Sequence, residues 1–188
     1  MDHLTFLSRR LSVPSGQLAA PGPSRDQLQQ MLAAAMRVPD HGRLAPWRVL
    51  AIEGESRHAL GEFLAQRALE LNPQAAQATL DKDRRRFSHA PLVLAVAARL
   101  QQPSRIPEIE QILSAGCVCF TLLQAAQALG FGGQWLTGWA AYDPAVAAHL
   151  GLAGNERIVG FIHVGSIREP ASERPRPAVE AHFSVWQG

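Results

Sequence analysis

Leu28, Met31, Leu32 and Ala35 recur three and four residues apart, the spacing of a single helix face, and Ser24 with Gln27 three residues on gives that helix a capping box. Pro39 ends it. Turn formers fill Val38 to Trp47, so that segment is expected to be a loop, and Arg48 to Ile52 reads as a buried strand. Glu55 to about Leu71 has helical character, followed by a more polar helix from Ala75 to Arg86. Pro91 opens Leu92 to Ala98, which is apolar without alternation, the pattern of a strand covered on both faces. Asp143 is placed to cap a short helix to Leu150, and Ile158 to Val164 reads as another buried strand. Near the start, Leu4, Phe6, Leu7 and Leu11 mark a short amphipathic helix ending at Arg9-Arg10. The Pro- and Gly-rich run from Ser12 to Ser24 reads as an extended connector, and the Pro-rich tail from Glu169 has little core character. Helices outnumber strands and helical hairpins separate the strands, so the class is α+β around a central sheet.

Gln111 to Tyr142 departs from every other stretch because it holds no Asp, Glu, Lys or Arg. Its length raises a membrane span. Four glutamines within it, the absence of a flanking basic cluster and the break at Gly130-Phe-Gly-Gly argue against one. A helix explains it better, with Pro107 and Glu108 suited to the first turn and Gly130 to the stop, followed by a Gly-rich loop to Gly138. Apolar residues lie all round that helix, so it is expected to be covered on every side, partly by a second subunit. A charged content of 18% against 47% hydrophobic also favours an oligomer. Lys82 is the only lysine and the net charge is +2, so neither a nucleic-acid nor a membrane partner is expected. Met1 to Thr5 form no basic leader, so secretion is not expected and the cytoplasm is. Cys117 and Cys119 read as buried thiols of a reducing compartment.

Polar chemistry collects at Arg9-Arg10, at Arg37 with Asp40-His41, and at Gly130 to Gly138. Arginines from separate segments suit a phosphate, since the guanidinium fork matches its oxygens and stays charged. Gly132-Gly133 lets backbone approach a flat ligand, and Trp135 or Trp139 could flank one. Asp81-Lys-Asp-Arg-Arg-Arg86 is most simply a solvated face. The seven histidines and two cysteines lack metal-ligand spacing, and no metal is expected. GxSxG and Walker loops are missing, and Phe131-Gly-Gly follows a helix where a dinucleotide fingerprint follows a strand.

Taken together, Arg9-Arg10, Arg37-Val-Pro-Asp-His41 with Pro46-Trp47, Ser114-Ala-Gly-Cys117, Gly130-Phe-Gly-Gly-Gln-Trp135 and Ile158-Val-Gly-Phe161 with Val164-Gly165 resemble the FMN-dependent nitroreductase family, particularly its small bacterial branch. The match runs nearly the length of the chain. It implies one FMN-binding domain over residues 1–188, a central, mainly antiparallel sheet flanked by helices, and an intertwined homodimer with FMN at the subunit interface. By position, Arg9, Arg10, Leu11, Arg37 and His41 would hold the phosphate and ribityl side. Trp135, Leu136 and Thr137 would line the flavin, and Ala125, Ala126, Gln127, Ala128, Leu129 and Gly130 lie where the nicotinamide donor is received. The implied activity passes hydride from NAD(P)H through FMN to a nitroaromatic, quinone or enone by a ping-pong cycle, with no catalytic side chain. Two positions depart from the pattern. Leu11 stands where the family has Ser, and Gln17 where it has a further Arg near the flavin's pyrimidine edge. A cation there would stabilise the reduced anion, so its loss makes a non-catalytic FMN carrier or sensor the alternative reading.

Overall fold

The sheet is assembled on one long strand, β5 (Glu156–Ile167), in a computed structural model that describes residues 2–188 and leaves Met1 outside. β3 (Leu92–Arg99) pairs with β5 and carries β2 (Trp47–Glu53) on its other side. β4 (Gly132–Leu136) and the two-residue β1 (Leu18–Ala19) also pair with β5. Each pairing is antiparallel, and the α+β class with a mainly antiparallel central sheet holds. The helices are α1 (His3–Ser8), α2 (Arg25–Ala35), α3 (Glu55–Leu71), α4 (Gln77–Arg84), α5 (Glu108–Ala128) and α6 (Pro144–His149).

β3 is apolar without alternation because helices cover both of its faces. Leu92, Leu94 and Val96 pack with Met31 of α2 and Val118 and Leu122 of α5, while Val93 and Ala95 pack with Leu60 and Leu64 of α3 and with Phe87. Burying side chains of this size contributes about 1.5–3 kcal/mol each. The Ser24–Gln27 capping box forms as expected at α2, and Asp143 accepts from Ala145 N and Val146 N at the start of α6. α5 buries Gln111, Ser114, Ala115, Val118, Cys119, Leu122, Leu123 and Ala126, a three-and-four spacing that lays one face on the sheet.

Several expectations need correction. Cys117, expected buried, is exposed while Cys119 is buried, and it joins a stripe that α5 leaves open within the chain, where Ile109, Leu113 and Phe120 are 60%, 61% and 47% exposed. The Gly-rich segment after α5 is largely strand β4, because its backbone groups find ladder partners on β5, 25 or more residues away in sequence; the Gly132↔Gly165 and Leu136↔Phe161 pairs bound it. The connector from Ser12 to Ser24 contains a 3₁₀ turn, Ser15–Gln17, and β1. β2 lies at the edge of the sheet, mostly half-buried with Ala51 exposed, so it is not the buried strand expected. The charged run is not all solvated, since Asp83 is buried between Arg86 and the indole of Trp139. α1 buries none of its residues, and Leu4 is 77% exposed.

Candidate functional site

The loop after α2 is braced internally by Asp40 and tied to α5 by two side-chain contacts. Asp40 accepts from Leu44 N and Ala45 N at 3.1 and 2.8 Å, which holds Arg43 and Ala45 in the left-handed region at φ 56° and 44°. His41 Nδ1 lies 2.6 Å from Glu110 Oε2 at the first turn of α5, and Ser114 Oγ donates to Pro39 O. Arg37 is exposed where this loop begins. With Nδ1 facing Glu110, His41 presents its Nε2 outward.

Arg9 and Arg10 occupy the opposite end of the same helix. Arg9 caps α1, and together with Leu11, Val13, Gln127 and Phe131 it lines a cavity of about 240 Å³ floored by Gly132 and Gly133. The two glycines are buried because Leu18, Ile167 and Leu123 crowd them; a Cβ at Gly132 would lie 2.8 Å from Ile167 and Leu18. Arg10 Nη1 donates to Ser12 Oγ at 3.3 Å, which places the hydroxyl of Ser12 beside the half-buried Leu11. Gln127 Nε2 donates to Phe6 O at 3.1 Å, and its Oε1 is buried without a partner among the described residues. Of the stretch Ala125 to Gly130, Gln127 is the residue that reaches this cavity; Ala126 is buried, and Gly130, at φ 83°, closes the helix.

Trp135 is positioned by an irregularity in the sheet. Val96 pairs with Gly160 and Ala97 with Ile158, so Val159 bulges from the ladder, and its carbonyl accepts from Trp135 Nε1 at 3.3 Å. The indole lies flush on Gly160, where a Cβ would come within 2.0 Å of Nε1, and reaches toward Gly116 of α5. Leu136 ends β4 opposite Phe161, and Thr137 follows half-buried.

The two cationic groups do not meet within one chain. The seventeen steps from Glu110 to Gln127 span about 25 Å of helix at about 1.5 Å each, with Arg37 and His41 at one end and Arg9 and Arg10 at the other. The 240 Å³ cavity also falls below the roughly 300–1,000 Å³ of a complete small-molecule site. A two-fold axis near the middle of the exposed α5 stripe would bring the two ends together from different subunits. The sequence reading missed Arg176, whose Nη2 donates to Arg10 O at 3.4 Å and pairs with Glu173 at 2.8 Å. Its signal was an arginine between prolines in a tail of otherwise weak character. Gln17 is held by its backbone, which donates to Pro14 O at 2.8 Å and accepts from Arg168 N at 2.9 Å, and its buried Oε1 has no partner among the described residues.

Comparisons with known proteins bear on the chain's fold and family. The model of the nitroreductase family matches residues 18–166. The chain is 37% identical over 172 residues to the "Putative NAD(P)H nitroreductase YdjA" of Escherichia coli K12, covering 92% of each. Among solved structures, a nitroreductase-like family protein from Bacillus cereus superposes with a TM-score of 0.83 at 21% identity, covering 100% of this chain and 97% of that one. The FMN and NADPH-dependent nitroreductase NfnB from a Sphigopyxis strain superposes with a TM-score of 0.80 at 20% identity, covering 100% of both chains. With this architecture, and with a family match over most of its length, the chain belongs to the nitroreductase family.

Proposed function

We propose that this protein is an FMN-dependent NAD(P)H oxidoreductase that works as a homodimer in the cytoplasm, with its whole length serving as one flavin-binding domain. The observation that carries the reading is the cavity of Arg9, Leu11 and Gln127 in a member of this family. The names of the relatives support it, one as an NAD(P)H nitroreductase and one as FMN and NADPH-dependent. The residues present fit the cofactor: several guanidinium groups for a phosphate, an unpartnered carboxamide oxygen at Gln127 for a polar ligand atom, and a flat indole at Trp135 beside β5. Bound FMN would supply the redox chemistry, linking oxidation of NAD(P)H to reduction of a nitroaromatic, quinone or enone in a ping-pong sequence.

The chain's own residues bind, orient and enclose. Arg9 and Arg10 from one subunit, with Arg37 and His41 from its partner, neutralise the phosphate and hold the ribityl chain. Trp135, Leu136 and Thr137 form a wall fixed by β4, and Leu11 and Val13 keep water from the inner side. The end of α5, Ala125 to Gly130, borders the space for the nicotinamide. No side chain is assigned a proton transfer. Dimerisation covers Ile109, Leu113 and Phe120, which otherwise leave an apolar stripe in water.

Absorbance of the purified protein after reconstitution with FMN and desalting tests the reading. Flavin bands with near-stoichiometric cofactor are expected, and a colourless protein refutes it. The rival reading, a flavin carrier or sensor, draws on Gln17 and Leu11, which offer no cation and no hydroxyl at their positions. Rapid mixing with NADH and NADPH separates the two: bleaching on the timescale of turnover is expected, and a flavin that stays oxidised with both donors favours the carrier.

A further inference from the structure

We infer that Arg86 is a fixed cation of the proposed flavin site, held by Asp83 and Trp139 at the end of the wall of Trp135, Leu136 and Thr137, where its charge favours the reduced cofactor. The inference rests on the flavin reading above and adds a charge-setting residue to it. Arg86 lies two residues past α4, and its side chain is 20% exposed against 4% for Asp83. Its Nε and Nη2 donate to Asp83 Oδ1 at 3.1 and 2.6 Å, and Trp139 Nε1 donates to the same carboxylate at 3.2 Å.

The backbone beneath this cluster has little room to move. Arg84 O sits so close to Gly61 of α3 that a Cβ there would come within 2.0 Å of it, Arg86 N donates to Asp83 O at 3.1 Å, and Phe87, the next residue, is fully buried. One edge of the guanidinium is spent on Asp83, while Nη1 makes no hydrogen bond among the described residues. It faces Gly138 instead, where a Cβ would lie 2.9 Å from Nη1. Gly138, at φ 69°, directly follows Thr137, so the unspent edge of Arg86 stands at the end of the wall.

Stability gives little reason to bury this pair. Desolvation of two charges offsets most of their attraction, and apolar side chains of the same volume serve a core as well or better. What the pair does supply is a positive charge that keeps its place and its protonation. The field of that charge is felt on the sheet: burial is the leading cause, and Arg86 adds to it, in holding His163 of β5 neutral, and His163 pairs with Gln134 of β4. Reduction adds electrons to the isoalloxazine ring, and a preorganised cation favours the electron-rich form most where water screens least. Gln17 brings no charge to the site. Arg9, Arg10, Arg37 and His41 are assigned to the phosphate and ribityl side, which leaves Arg86 to serve the ring.

The test is the reduction potential of the full-length, FMN-reconstituted protein, read at equilibrium against a reference dye. Arg86→Gln is expected to lower the midpoint by about 30 mV or more, which for a two-electron couple is a tenfold or greater weakening of reduced relative to oxidised FMN. Asp83→Asn still accepts from the guanidinium but removes the opposing charge, and is expected to leave the potential at or above the wild-type value. A merely structural role weakens both redox states alike, so an unchanged potential in Arg86→Gln overturns the inference, as does a fall in Asp83→Asn. Should the unpaired Asp83 keep Arg86→Gln from folding, the double variant Asp83→Asn with Arg86→Gln leaves neither charge buried. It is expected to weaken reduced relative to oxidised FMN at least threefold, and no change there overturns the inference as well. A wild-type protein that takes up no FMN would remove the flavin reading itself, a failure distinct from an unshifted potential.

Discussion

His163 sits at the centre of β5, fully buried, stacked on Phe87 with ring centroids 5.6 Å apart, and neither ring nitrogen has a partner among the described residues. Burial, helped by the charges of Arg86 and His89, pushes its pKa down from 6.5 to about 4. The unfolded chain therefore takes up the proton first as pH falls, so the folded state loses stability between about pH 6.5 and 4 and gains nothing from this group above that range. The full effect is about 3 kcal/mol, at about 1.4 kcal/mol per unit. His163→Phe keeps an aromatic ring and removes the titration, so denaturant unfolding at pH 7 and pH 4.5 is expected to differ less in the variant than in the wild type. An equal loss in both proteins would assign the acid sensitivity to carboxylates such as Asp143 and Glu156, whose pKa values are held down by nearby arginines and backbone amides against the opposing effect of burial. Residues of this kind were opaque in the sequence. Ser24 announced its role because Gln27 stands three positions away, whereas Asp83 draws on Trp139, 56 residues distant, and nothing local marks the pair.

Helices and buried strands were legible where their reason lies within a few residues: the face spacing of α2, the unbroken apolar run of β3, the acidic start and glycine stop of α5. β4 was not, since its glycines describe a loop until β5 supplies a ladder, and the bulge at Val159 has no local signature at all. That bulge and Gly160 together seat Trp135, which makes the β4–β5 pair the element that sets the proposed flavin wall. Gly160→Ala tests this. Its Cβ would lie 2.0 Å from the indole nitrogen, so the ring has to leave its place or the strands have to part. Overpacking of this sort costs about 2 kcal/mol, a fall of roughly 4–8 °C in thermal midpoint for a chain of this size. Trp135 emission should move with it, and FMN affinity should drop. A variant with the wild-type midpoint and emission would show that the indole is not held on β5.

The uncharged stretch that first resembled a membrane span is, at the scale of the molecule, a helix with one face on its own sheet and one face bare. Its length and hydropathy suffice for a bilayer, yet its buried residues alternate with the stripe of Ile109, Leu113 and Phe120 as those of a helix shared between two subunits do. The sequence could show that charge was missing but not what covers the bare stripe, and in the dimer proposed above the residues that meet across the two-fold have no spacing in one chain. The same reasoning separates the candidate site into halves, and the halves can be exchanged. Arg9→Ala and Arg37→Ala subunits are each expected to bind FMN poorly. If one site takes Arg9 from one subunit and Arg37 from the other, a mixed dimer holds one site with both arginines and one with neither. After random subunit exchange in an equal mixture, about half the dimers are mixed, so about one quarter of wild-type FMN stoichiometry should return on equilibrium dialysis. A site confined to one chain would regain nothing on mixing, since each subunit would keep its own defect.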